Sequence, residues 1–245
     1  HALLADTGNF GVAYERGART ASNGKQFWKK NFVQNILPYI EESAIASRYN
    51  YRADFDSTVP DSTGNFNGKL VKTNIKIMVC PSLPKDRNGT GACDYVVCMG
   101  FNIFAASNQA GLGTLDFLIP KGRPFWHIVF SNAALPPPAT GPLPIAGRMP
   151  PTPPTRVEDV TDGLSTTIMI VEDTGLPDQY DGDRNQTSQG QFFSWGYTWG
   201  DSESQIWMDE YCKTKFMNCY NGNEIYSFHN DGSNFLMGDG SVRWI

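Results

Sequence analysis

Charge is scarce in this sequence: 18% of its 245 residues are Asp, Glu, Lys or Arg, and the formal net charge is −5. No run of Lys or Arg offsets that balance. Phosphate binding depends on a positive field, so nucleic acid is not expected as a partner. Long apolar runs are missing too. The longest, Ile75-Lys-Ile-Met-Val-Cys80, is strand-sized, well short of the about 18–20 residues that cross a bilayer. Three histidines and the lack of a C-x-x-C pair argue against a structural zinc site. Neither an H-E-x-x-H stretch nor a G-x-S-x-G elbow occurs, so the expectation is a protein that is not an enzyme. No internal repeat is visible.

What the sequence does hold is 40% hydrophobic and 13% aromatic residues, with 24 Gly and 16 Pro. That content packs a core and excludes wholesale disorder. Few charges, many turn-formers and many rings together suggest a β-rich extracellular protein. The length fits one large domain, taken as 1–245. Five cysteines, Cys80, Cys93, Cys98, Cys212 and Cys219, suggest an oxidising compartment. Two short disulfide-closed loops are expected, Cys212–Cys219 around a polar turn and Cys93–Cys98, with one cysteine left over. The sequons at Asn88 and Asn185 lie in polar loops and carry little weight.

Helical signals occupy the first fifty residues. His1-Ala-Leu-Leu-Ala-Asp6 reads as helix, and a sequence opening inside a helix is expected to have lost a signal or anchor upstream. A second helical segment runs from Phe27 to Tyr49, with Phe32, Val33, Ile36, Leu37, Ile40 and Ile45 near helical spacing. Pro38 is expected to kink or divide it. Residues 51–68 read as loop. Val71 to Cys80 alternates apolar and polar residues and is predicted as a half-buried strand. Further strands are predicted around Tyr95–Met99, at Thr166–Val171 and along 191–199. The close, 226–245, reads as a hairpin turning at Asp239-Gly240. Residues 105–155, with Leu135-Pro-Pro-Pro138 and Met149-Pro-Pro-Thr-Pro-Pro154, form a Pro-rich irregular arm within the domain. Its length and lack of core periodicity predict contacts between subunits. The class is therefore α+β, an N-terminal helix packed on a mainly antiparallel sheet with long loops.

The closing stretch Phe228-His-Asn-Asp-Gly-Ser-Asn-Phe-Leu-Met-Gly-Asp-Gly-Ser-Val-Arg-Trp-Ile245 resembles the signature of a planctomycete-type family. That family is known as DUF1559, or solute-binding-protein-like, and carries a His-x9-Asp-Gly motif. His229 and Asp239-Gly240 stand at that spacing. Ile36-Leu-Pro-Tyr-Ile-Glu41, Ile77-Met-Val-Cys-Pro-Ser82, Asp159 to Ile168 and Val171-Glu172 follow the family's order. The resemblance implies a prepilin-type N-terminus, with His1 to Ala5 ending a pilin-like helix whose membrane half is missing. Export, membrane attachment only through that missing helix, and self-association into a filament or surface assembly follow from it. The alternative is an extracellular module that binds a glycan or other solute.

Each candidate site has two readings. His229, with Asp231 and Asp239, either pairs with a carboxylate to hold a metal or move a proton, or hydrogen-bonds a turn that Asp239 sets through an Asx bond. Asp178, Asp181 and Asp183, with Asn185 beyond, offer alternating oxygens to calcium or form a solvated loop. Calcium sites in pseudopilin heads add to the first of these. Phe193, Trp195, Tyr197 and Trp199, with Trp207, form either a sugar-stacking platform or the buried face of a strand. No cofactor beyond calcium is expected.

Overall fold

The computed structural model describes residues 14–15, 19–20, 26–27, 29–83, 85–87, 89–101, 156–160, 163–188, 198–202, 204–208, 215, 217–222 and 224–245. The predicted helix at residues 1–5, the arm at 105–155 and residues 191–197 lie outside that set.

Pro38 divides the second helical segment, as its missing N–H and fixed ring demand. Two paired ribbons come first in the chain, β1 (Tyr14–Glu15) and β2 (Arg19–Thr20), then β3 (Gln26–Phe27) and β4 (Lys30–Asn31). β1 pairs with β4 and β2 with β3, both antiparallel. The predicted helix over Phe27–Tyr49 is therefore shorter than its periodicity suggested. It reduces to α1 (Val33–Ile36), a 3-10 turn at Leu37–Tyr39 and α2 (Ser43–Ala46). Glu41, at φ +64°, reverses the backbone between the pieces. The apolar spacing identified the inward face all the same: Phe32, Val33, Leu37 and Ile45 are buried together.

The strand predicted over Val71–Cys80 is not formed. α3 (Asn67–Leu70) leads through a turn into a 3-10 turn at Lys76–Met78. Val71, Ile75 and Met78 are buried while Ile77 is 59% exposed. Those three buried positions also fit an i, i+4, i+7 pattern, which competes with alternation in so short a run. Buried Asn67 tips the balance, its side-chain amide donating to the carbonyls of Asn50 (2.9 Å) and Asp54 (3.1 Å). That bond docks the preceding loop against the start of α3.

Among the described residues the main sheet has five strands: β5 (Tyr95–Phe101), β6 (Ile168–Glu172), β9 (Gln205–Met208), β10 (Asn234–Met237) and β11 (Val242–Trp244), in the order β11-β10-β6-β5-β9. Every pairing is antiparallel except β5 with β9. A small ribbon of β7 (Gln179–Tyr180) and β8 (Gln186–Ser188) stands apart from that sheet. The β10–β11 hairpin turns at Asp239-Gly240, with Gly240 at φ +83° and its N–H bonded to the Met237 carbonyl at 2.9 Å. The α+β class and the mainly antiparallel sheet match the expectation. One face of the sheet packs on the helical pieces through Val97, Trp199 and Val71. Val96, Val171, Ile206, Ile225, Phe235 and Met237 form a second cluster. Among the described residues, no helix is long and apolar enough to cross a membrane.

Candidate functional site

Three segments far apart in the chain meet at the end of β6. Glu172 is its last residue and is fully buried. A buried carboxylate needs hydrogen-bond donors, and it has them. Ser233 Oγ (2.7 Å) and the Asn234 N–H (2.8 Å) donate to Oε2, and the Asn234 amide (3.3 Å) donates to Oε1. His229, on the approach to β10, places Nε2 at 3.3 Å from Glu172 Oε1. Cys80, just beyond the Lys76–Met78 turn, brings Sγ to 3.5 Å from the same nitrogen. The other ring nitrogen, Nδ1, meets Ser82 Oγ at 2.8 Å. Trp244 and the imidazole meet in a T-shaped contact, with centroids 5.7 Å apart.

The supports of this cluster are themselves anchored. The Cys80 N–H donates to Asp94 Oδ2 at 2.7 Å. Asp94 is fully buried and is gripped through both oxygens by the Arg87 guanidinium. Burial pushes the Cys80 thiol up from its ordinary pKa; a hydrogen bond from the Ser82 N–H opposes this, and the carboxylates of Glu172 and Asp94 add to it. A thiol held neutral in this way is a poor nucleophile. Glu172 and Cys80 also share one imidazole nitrogen, whereas a proton relay needs its partners on opposite nitrogens. Ser82 and Glu172 do lie on opposite nitrogens, but that relay leaves Cys80 without a part. Among the described residues, Cys80, Glu172 and His229 are the three metal-capable side chains whose ligand atoms all lie within 4.8 Å of one another.

The segments that meet here include three on which the sequence resemblance rests. The model of a family described as a protein of unknown function, DUF1559, matches residues 9–245. The chain belongs to the DUF1559 family. Comparison with curated proteins and with solved structures returned no match.

In this DUF1559 member the carboxylate facing His229 is Glu172, while the expected partners Asp231 and Asp239 are exposed in turns. Asp239 is exposed at the hairpin turn, where its Oδ1 accepts from the Ser241 N–H (2.9 Å) and hydroxyl (2.6 Å). Those bonds hold its carboxyl below the usual range. Asp231 is exposed in a turn at φ +61°. Sequence reasoning singled out His229 but assigned no chemistry to Cys80, Ser82 or Glu172. The available signal was a Glu closing the apolar strand Ile168–Val171, next to motifs already noted.

The acidic loop does not gather. Asp178 forms an ion pair with Lys85. Asp181 Oδ1 accepts from the N–H groups of Asp183 and Asn185, each at 2.9 Å, so it shapes its own turn. Asp183 is exposed. Trp199 is completely buried, its indole N–H donating to the Thr73 carbonyl at 2.9 Å, and cannot serve as a stacking surface. It sits in a turn rather than in the predicted strand. Trp195 lies outside the described residues, and Trp207 falls within β9. The Cys93–Cys98 disulfide is not made. Cys93 is a free, fully buried thiol donating to the Tyr95 carbonyl at 3.2 Å, because it faces the core and not a neighbouring loop. Cys80 is free as well. Cys219 is disulfide-bonded, and Cys212 lies outside the described residues.

Proposed function

We propose that this chain is the head of an exported, pilin- or pseudopilin-like surface subunit that associates with further copies of itself. The observation that carries this reading is the outer strand of the main sheet. Among the described residues β11 stands last in the strand order, and Val242, Trp244 and Ile245 at that edge are 64%, 52% and 48% exposed. A strand edge bearing apolar side chains is a template for adding a strand from another chain. Membership of DUF1559, few charges and many turn-formers are consistent with that role. The glycan-binding alternative loses Trp199, one of the three tryptophans offered as a stacking surface, because it is buried in the core.

Electron microscopy of cell-surface material and sedimentation of the purified chain test the reading together. Ordered filaments or arrays, and reversible oligomers that Val242→Lys weakens by about tenfold or more, are the expected result, since a charge at an edge strand opposes pairing. A strictly monomeric chain at every concentration, with dispersed single heads on the cell, would overturn it.

A further inference from the structure

The cluster at the end of β6 has an arrangement that the assembly role does not require. Two buried groups, the Cys80 sulfur and the Glu172 carboxylate, are both set against one nitrogen of His229. Without a shared partner, they compete for it. A four-coordinate ion with metal–nitrogen and metal–oxygen bonds of about 2.0–2.1 Å and a metal–sulfur bond of about 2.3 Å has N···O edges of about 3.3 Å and S···N edges of about 3.6 Å. The corresponding separations here are 3.3 Å and 3.5 Å. We propose that Cys80, Glu172 and His229 bind a borderline divalent transition-metal ion of the zinc class.

The donor set selects that class. Thiolate and imidazole suit zinc and its neighbours, whereas calcium and magnesium take oxygen ligands. Three protein ligands leave the fourth position to water or another small ligand. The surrounding residues are those a metal-bound histidine requires. Ser82 Oγ lies 2.8 Å from Nδ1; in the Nδ1–H tautomer it accepts that proton, which leaves the Nε2 lone pair for the ion. Ser233 and the Asn234 N–H hold Glu172 through Oε2, so Oε1 points inward. Asp94 fixes the backbone of Cys80. On binding, the Cys80 sulfhydryl proton passes to solvent, and the thiolate and Glu172 together neutralise the two charges of the ion.

The test is a titration of the intact chain with cobalt and then zinc at neutral pH. The expected result is one equivalent of cobalt bound, with a near-ultraviolet thiolate-to-cobalt charge-transfer band that zinc abolishes. His229→Gln should lose the band while the far-ultraviolet circular dichroism is retained. If that variant fails to fold, Ser82→Ala serves, with an expected loss of about 10–100-fold in metal affinity for removal of an outer-shell partner. Absence of the band from the unmodified chain, or a band unchanged in both variants, would overturn the proposal. In the first case, labelling of Ser82 by a serine-directed fluorophosphonate would assign the cluster to a Ser82–His229–Glu172 relay.

Discussion

Arg87 and Asp94 form a buried ion pair, with side chains 4% and 0% exposed. Asp94 also accepts the N–H groups of Cys80 (2.7 Å) and Gly175 (3.2 Å), so one carboxylate organises two loops. Replacing Arg87 with Met leaves that carboxylate buried without its counter-charge. The expected loss is about 3–5 kcal/mol, read as a lower denaturant midpoint at unchanged slope. A loss below about 1 kcal/mol would mean that backbone N–H donors alone suffice for Asp94. At this scale the sequence pointed to His229 and not to its partners. A glutamate at residue 172 and a cysteine at residue 80 have no spacing relation to a histidine at residue 229.

Between elements, the join that fixes the helical pieces to the sheet is a backbone contact at Gly91. Its carbonyl accepts the Trp199 N–H at 2.7 Å, and Ala92 bridges Thr198. Trp199 then spans the gap, bonded to Thr73 and stacked at a tilt on Tyr49 with centroids 6.0 Å apart. Asn31 reinforces the same turn, donating to the carbonyls of Trp199 (2.9 Å) and Asp201 (2.7 Å). Gly91 adopts φ +65°, and a Cβ there would lie 1.7 Å from the Val71 carbonyl oxygen. Gly91→Ala is therefore expected to destabilise by about 2–4 kcal/mol, the range for a positive-φ position that also clashes. Thermal unfolding measures it, and a midpoint within a degree of the parent would contradict the contact. The element sequence was partly legible. Pro38 marked the break between α1 and α2, and β-branched runs marked β5 and β6. Val71–Cys80 departs from its predicted strand because ten residues can satisfy two periodicities, and the docking of Asn67 favours the helical one.

Across the whole molecule, several weak acids are buried in their neutral forms. Burial moves the Cys93 thiol from 9.0 to about 12 and the Tyr226 phenol from 10.0 to about 12, and it raises Tyr49 and Tyr95 as well. A raised folded pKa gives stability that is fully present below the unfolded value and is lost as pH climbs toward the folded one. The chain should therefore weaken above about pH 9, by about 1.4 kcal/mol per pH unit for each group in its window. Cys93→Ala should flatten the first part of that fall, from pH 9 to 10, in denaturant unfolding followed against pH. An unchanged slope would show that Cys93 ionises in the native state. The sequence by itself determined what composition and local pattern can carry: the α+β class, the β10–β11 hairpin through Asp239-Gly240, the break at Pro38, and family membership through collinear motifs. Tertiary structure alone decided that Trp199 is core, that Cys93 stays a thiol, and that Cys80, Glu172 and His229 converge. Those outcomes depend on which distant segments share a strand end, and strand order is set by packing of the whole chain; the spacing of residues within any one segment does not encode it.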